Sequence, residues 1–306
     1  MSRVRLQKAE AIVLKRHDYG EADRILTVYT RQQGKITVIA KGVRRIASRK
    51  AGHVELFTHA QMMLAEGRNM DVLTQAEMIE AFPRLRDDLV RMTYAYHIAE
   101  LVDRFEQDGH PSPQTFQLLR DSLAALGDAD DPFVVARYFE LRYLSLIGYR
   151  PHLFECAQCA TSLEPGAAVF SPEAGGVVCP ACARAVSDGL RIDDAAFRVL
   201  RFLQTREIGL ILHLVLQSGT RGQVEQALHG FVRHHLEREL RSVEFLNGLR
   251  RVARTVDLAP SARARPDTVG IDAGADRSSD PVSDPMRDPM SDPVPDPAND
   301  PVRTAE

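Results

Sequence analysis

The stretch "EAIVLKRHDYGEADRILTVYTRQQGKITVIAKGVRR", from Glu10 to Arg45, decides the fold of the amino-terminal part of the chain. Its apolar and β-branched segments "EAIVLK", "DRILTVYT" and "KITVIA" are separated by the turn signals "DYG" and "QG". Segments of this length and composition are typical of β-strands joined by tight turns. The runs "LFTHAQMML" and "DVLTQAEMIEAF" extend the pattern to five strands before Phe82. Five short strands predict a small closed barrel over residues 1–82, and an oligonucleotide/oligosaccharide-binding (OB) barrel fits that count.

The spacing of the apolar residues becomes helical after Pro83. They follow the three- and four-residue spacing of a helix face from Met92 to Phe105, and again from Phe116 to Leu126. Helix starts are predicted at Ser112-Pro113, Asp131-Pro132, Asp193 and about Arg221, and helix ends at Gly127 and Gly148. The fold class is therefore α+β and multidomain, with an all-α domain over residues 83–250.

The end of the chain differs in composition from the rest. Asp-Pro recurs every four residues from Asp280 to Asp300, in a segment almost free of aromatic and large aliphatic residues. Such a segment buries too little apolar surface to offset its conformational entropy. We expect an acidic tail over residues 251–306, disordered from about Ser261 onward.

Charge is distributed unevenly along the chain. The formal net charge of the whole chain is −3, yet residues 1–50 hold 13 Lys and Arg against four acids, a net charge of +9. From Ser261 onward five Arg face ten acids, a net charge of −5. The tail thus masks a basic front end, and clustered basic charge of this kind is either a solvated loop or a surface for phosphates.

All four cysteines, Cys156, Cys159, Cys179 and Cys182, follow the spacing C-x2-C-x19-C-x2-C. Two such turns can direct four sulfurs at one tetrahedral Zn²⁺, and "AAVFSPEAGGVV" between them indicates a hairpin that brings the turns together. Two disulfides or a redox C-x-x-C are the alternatives. Without a secretion signal we expect a reducing compartment, in which disulfides are disfavoured. A four-cysteine site has no open position for substrate, so we predict one structural zinc ion in a module over residues 154–185.

Motifs for catalysis are absent from the sequence. It contains no Walker loop, no G-x-S-x-G and no H-E-x-x-H, and its cysteines are assigned to metal. No apolar run approaches the length of a membrane span, so we expect a cytoplasmic protein that does not contact the membrane. The sequence indicates a binding protein rather than an enzyme.

The quoted stretch and the later "FSPEAGGVVCPAC" together resemble the RecO family of bacterial recombination mediators. The resemblance extends from about Lys8 to Leu249. It implies binding of single- and double-stranded DNA, annealing of complementary strands, and work with RecR and single-strand-binding protein to load RecA onto coated DNA. It also implies that the turn residues Asp18 to Glu21 and Asp23 are structural, and that the cysteines match the zinc-containing members.

The predicted DNA contacts come from the same comparison and from the charge cluster that follows "KITVIA". The resemblance assigns Lys35, Lys41, Arg44 and Arg45 to a basic barrel surface, and Arg49 and Lys50 extend the cluster into a loop at the barrel rim. With no Trp in the chain and few aromatic residues before Pro83, we expect contacts to phosphates and little sequence preference. The alternatives are a zinc-stabilised adaptor between proteins that does not bind DNA and a zinc-dependent nuclease or other enzyme.

Overall fold

The structure is a computed structural model that describes residues 5–236 and, beyond them, residues 240, 242, 243, 245, 246, 248 and 249. The predicted tail, residues 251–306, lies outside the described residues. Its predicted disorder therefore stays a prediction.

Five strands form the amino-terminal barrel: β1 (Leu6–Tyr19), β2 (Asp23–Thr30), β3 (Gly34–Ala40), β4 (His59–Ala65) and β5 (Asp71–Glu80). β1 pairs antiparallel with both β2 and β4. β3 pairs antiparallel with β2 and parallel with β5. Because β5 also pairs with β4, the order β1-β2-β3-β5-β4 returns to β1 and closes the ring. The predicted five-stranded, OB-type barrel is confirmed.

Both faces of β1 are buried. Ala9, Ala11 and Val13 pack in the barrel interior, whereas Ile12 and Leu14 belong to the core of the helical region. Successive side chains of a strand point to opposite faces, so these residues divide between two cores. The uninterrupted run "AIVL" is thus explained by burial on both sides rather than by one apolar face.

Between residues 83 and 236, six α-helices follow the barrel: α1 (Pro83–Arg86), α2 (Leu89–Phe105), α3 (Pro113–Asp128), α4 (Pro132–Leu146), α5 (Asp194–Thr205) and α6 (Ser218–Leu236). The Ser112 hydroxyl accepts from the Thr115 amide at 3.1 Å, and the Asp131 carboxylate accepts from the Phe133 amide at 3.0 Å, so both predicted N-caps are present. None of the helices in the described ranges is long and apolar enough to cross a membrane.

Two of the predicted helix boundaries need correction. Gly127 does not end a helix, because α3 continues to Asp128 and the Ala129 amide donates to the Ala125 carbonyl at 2.8 Å. The helix closes on its own backbone there and needs no left-handed glycine. α6 begins at Ser218, before the predicted start near Arg221. Gly148 does follow α4, with a φ of 92°.

A small sheet is inserted between α4 and α5. It consists of β6 (Ala168–Ser171), β7 (Gly176–Val178) and β8 (Leu190–Ile192), in the order β7-β6-β8. β6 and β7 form the predicted hairpin. Phe170 on β6 meets Phe231 on α6 edge to face, with ring centroids 5.8 Å apart. The helical core therefore supports the module that carries the cysteines.

The turn between β2 and β3 contacts the loop between α2 and α3 through backbone atoms. The Gly109 amide donates to the Lys35 carbonyl at 2.9 Å. Gly34 has a φ of +68°, and a Cβ added to it would lie 2.1 Å from the carbonyl oxygen of His110. Only glycine permits both this backbone conformation and this close approach.

Replacing Gly34 by Ala should lower the free energy of unfolding by about 2–4 kcal/mol, since it combines left-handed strain with a backbone clash. Gly20 is the matched control, because its φ is +56° and nothing lies within 4 Å of an added Cβ. Gly20→Ala should cost only the strain, about 1 kcal/mol. Urea unfolding of the two variants measures the difference. Equal losses would contradict the close backbone contact between Gly34 and His110.

Candidate nucleic-acid interface and metal centre

Residues 41–50, here called the basic loop, follow β3 and are fastened to the barrel at both ends. Val43 is buried in the barrel core. The Lys50 ammonium donates to the carbonyl of Lys41 at 3.1 Å and to that of Leu73 on β5 at 3.0 Å. Burial lowers the pKa of Lys50, an effect that Asp23 partly opposes. The half-buried Lys50 thus ties the two ends of the loop to each other and to β5.

Three of the predicted DNA contacts, Lys41, Arg45 and Arg49, are exposed on this loop. They line a concavity of about 480 Å³ whose other wall includes Thr74 and Gln75 of β5. Within the described ranges, none of these three cations has an acidic side chain in ion-pair distance. The concavity therefore presents unneutralised positive charge beside polar groups that can donate or accept hydrogen bonds.

Arg44 connects the basic loop to the turn between β1 and β2. Its Nε lies 3.4 Å from the Asp18 carboxylate, and its guanidinium donates to the Gly20 carbonyl at 3.2 Å. The Asp23 carboxylate accepts from the Gly42 amide at 2.7 Å. These acids hold the turn and the loop in register, so part of the Arg44 charge is already paired within the protein.

Lys35 lies apart from the basic loop. Its ammonium donates to the Asp103 carbonyl at 2.7 Å and lies 3.5 Å from the Asp108 carboxylate. Its side chain is only 13% exposed. Lys35 therefore joins the barrel to α2 and the loop that follows it, which is a different position from the open surface expected of it.

The aromatic side chains of the barrel are mostly unavailable to a ligand. Tyr29, Phe57 and Phe82 are buried in the core shared with the helices. Tyr19, by contrast, is 55% exposed at the turn that Arg44 contacts. Thr74 and Gln75 on β5 line the concavity but were not predicted as part of the site. They join it through the pairing of β5 with β3, a contact that no local pattern in the sequence indicates.

The four cysteines lie on two similar turns that face each other. The Ala160 amide donates to the Cys156 carbonyl at 2.9 Å, and the Ala183 amide donates to the Cys179 carbonyl at 2.9 Å. Cys179 follows β7, and its backbone amide donates to the Cys156 sulfur at 3.3 Å. The hairpin of β6 and β7 therefore brings the second pair back to the first, as the spacing predicted.

The sulfurs of Cys156, Cys159, Cys179 and Cys182 all lie within 4.8 Å of one another, and all four thiols are free. Burial raises the pKa of Cys156, but backbone amides, that of Cys179 foremost, outweigh it and lower this pKa to about 6. The pKa of Cys182 is raised to about 12, because its thiol is hydrogen-bonded to the sulfurs of Cys179 and Cys159. Four thiolates this close repel one another unless a cation neutralises them, so the cluster could bind a metal ion.

Comparisons with known proteins cover almost all of the described chain. The family model described as "Recombination protein O N terminal" matches residues 1–82, and "Recombination protein O C terminal" matches residues 86–244. A protein of Roseiflexus sp. (strain RS-1) named "DNA repair protein RecO" is 42% identical over 253 residues, which are 83% of this chain and 89% of the relative. Proteins with the same name from Pelotomaculum thermopropionicum and Symbiobacterium thermophilum are 38% and 36% identical, over 80% of this chain and 94% and 98% of theirs.

Proposed function

Since this chain belongs to the RecO family and thereby has a role in DNA repair and recombination, we propose that it is a recombination mediator that binds single- and double-stranded DNA. The DNA-binding unit is the barrel, residues 1–82. The helical unit, residues 83–250, carries the cysteine module, residues 154–185. Its place of action is the cytoplasm, at the nucleoid.

The observation that carries this proposal is the group of exposed, unpaired cations on the basic loop. Lys41, Arg45 and Arg49 line a concavity of about 480 Å³, and Thr74 and Gln75 add hydrogen-bonding groups to it. Phosphate contacts supply most of the affinity of sequence-independent nucleic-acid binding. Arg44 and Lys50 contribute less to this proposal, because both are engaged within the protein. Lys35 lies outside it.

The proposed annealing activity depends on the base edges of the bound DNA staying free. The basic loop offers charge for phosphates, while three of the four aromatic rings in the barrel are buried and cannot stack on bases. Contacts to phosphates fix a strand without reading its sequence. A strand held in this way keeps its base edges available to a complementary strand, which is the physical requirement for annealing.

Work with RecR and single-strand-binding protein, and the loading of RecA, complete the proposed role. Family membership supports these partners. The proposed action is binding rather than catalysis, because the charged residues of the basic loop include no general base or nucleophile arranged for chemistry. A protein adaptor that does not bind DNA is the competing function, and it requires the three unpaired cations of the loop to be merely solvated.

The metal we propose for the cysteine cluster is one structural Zn²⁺. The Cys159 and Cys179 sulfurs are 3.7 Å apart, which fits a tetrahedral site with Zn–S bonds of about 2.3 Å and sulfurs about 3.8 Å apart. The amide that donates to Cys156 would further stabilise a thiolate ligand. When bound, the ion would neutralise the thiolates and join the two turns. Four protein ligands would leave no open position on it.

Replacing Lys41, Arg45 and Arg49 together by Ala should weaken binding of all DNA sequences about equally. Each lost phosphate contact on a single strand flattens the slope of log affinity against log salt by about 0.7, so the slope should flatten by roughly two units. The fold should persist, because these side chains are exposed. Fluorescence anisotropy with labelled oligonucleotides of several sequences, titrated at several salt concentrations, measures both effects.

A matched control for this triple variant is the replacement of Arg184, Arg191 and Arg206, three exposed arginines of the module and the helical region, by Ala. It removes the same number of cations and should change the slope far less. If the basic-loop variant kept the affinity and the salt slope of the parent, the DNA-binding proposal would fail and the adaptor function would be favoured.

Replacing Cys179 by Ser should release the metal and expose residues 150–190 to proteolysis, since binding energy at structural zinc sites is also folding energy. Ala185→Ser is the control, because it places a serine in the same module at an exposed position that is not a ligand. Elemental analysis and limited proteolysis measure the outcome. Parent protein that is purified without chelators and contains no zinc, or a Cys179→Ser variant with a full equivalent, would contradict the assignment.

A further inference from the structure

The tip of the basic loop carries an apolar side chain that is fully open to solvent. Ile46 reaches 108% of its reference exposure, the largest value among the big apolar residues of the described ranges, where Val215 follows at 66%. Isoleucine is among the residue types most often found inside proteins. Although both faces of β1 are buried, the Ile46 side chain is left fully exposed.

Backbone hydrogen bonds set the outward position of Ile46. The Arg45 amide donates to the Gly42 carbonyl at 3.2 Å, and the Ser48 amide donates to the Arg45 carbonyl at 2.9 Å. The chain therefore makes two successive turns, over residues 42–45 and 45–48, and Ile46 is the second residue of the second turn. Val43, buried in the barrel, and the Lys50 ammonium, bonded to β5, hold the loop on either side. Ile46 is therefore held in place by a loop that is anchored on both sides. Such anchoring lowers the conformational entropy lost when a ligand binds.

The surroundings of Ile46 are suited to DNA rather than to an apolar protein surface. Exposed Arg44, Arg45 and Arg49 lie within three residues of it, and residues 41–50 contain no acid. An apolar partner surface would have to desolvate these cations without pairing them. A nucleic-acid strand offers both complements at once: phosphates for the cations and base faces for the aliphatic side chain.

We propose that Ile46 inserts between neighbouring bases of the DNA strand whose phosphates are held by Lys41, Arg45 and Arg49. Aliphatic wedges that separate stacked bases are a known device of DNA-binding proteins. Here the wedge supplies the base-face contact that the buried Tyr29, Phe57 and Phe82 cannot make. It touches faces and leaves base edges free, so it keeps an unstacked strand ready to pair. The inference rests on the proposed function, because it requires DNA on the basic loop.

The test uses the full chain with Ile46→Ser, which should fold normally because the side chain contacts no core. The probe is a single-stranded oligonucleotide with an internal 2-aminopurine, whose fluorescence rises when it is unstacked. The parent should increase that fluorescence on binding. Ile46→Ser should abolish the increase and weaken binding roughly fivefold to tenfold, the effect of losing one aliphatic contact. The salt slope should stay that of the parent, since no cation is removed.

Two further variants complete the test. Ile46→Leu restores an aliphatic side chain and should recover most of the affinity and the fluorescence increase. Val215→Ser removes the next most exposed β-branched apolar side chain, away from the basic loop, and should behave as the parent. If Ile46→Ser bound and unstacked the probe like the parent, the wedge would be refuted. Loss of binding on replacing Lys41, Arg45 and Arg49 would then still support the proposed function, so the two failures are distinguishable.

Discussion

The rest of the structure depends on the burial of both faces of β1. Ala11 and Val13 fill the barrel, while Ile12 and Leu14 pack in the core of the helical region. The outward face of β1 is therefore buried only when the helical region is folded against the barrel. The turn at Gly34, the ammonium of Lys35 and the ring of Tyr29 all belong to the same contact. That contact removes one side of the barrel from solvent, and the basic loop with β5 remains accessible on the barrel rim.

Formal charge overstates what this rim offers to DNA. Of the six cations predicted to bind DNA, Lys35 and Lys50 donate to backbone carbonyls within the fold, and Arg44 faces Asp18. Arg24 is likewise committed, to Asp18 at 3.0 Å and to Glu55 at 3.1 Å. Much of the +9 at the front of the chain therefore maintains the protein itself. Of the six predicted contacts, Lys41, Arg45 and Arg49 are the ones left for a ligand, and all three lie on the basic loop.

Local patterns in the sequence predicted what local physics determines. Strand periodicity predicted the barrel, side-chain caps predicted the starts of α3 and α4, and the C-x2-C pairs predicted the sulfur cluster. These local patterns could not predict contacts between residues far apart in the sequence. The roles of Lys35 and Lys50 depend on carbonyls of Asp103 and Leu73, residues distant in sequence. The predicted helix end at Gly127 was wrong for a related reason. The helix α3 continues past it, and the Ala129 amide donates to the Ala125 carbonyl instead.

The central claim is that DNA lies against the basic loop and β5, and photo-cross-linking tests it most directly. The full chain would be irradiated with single-stranded oligonucleotides that carry photoreactive bases, and the modified peptides would be mapped by mass spectrometry. Contact at the rim predicts modification within residues 41–50 and at residues 74–76, which line the same concavity. Cross-links confined to residues 83–236, with residues 41–50 unmodified, would contradict the account.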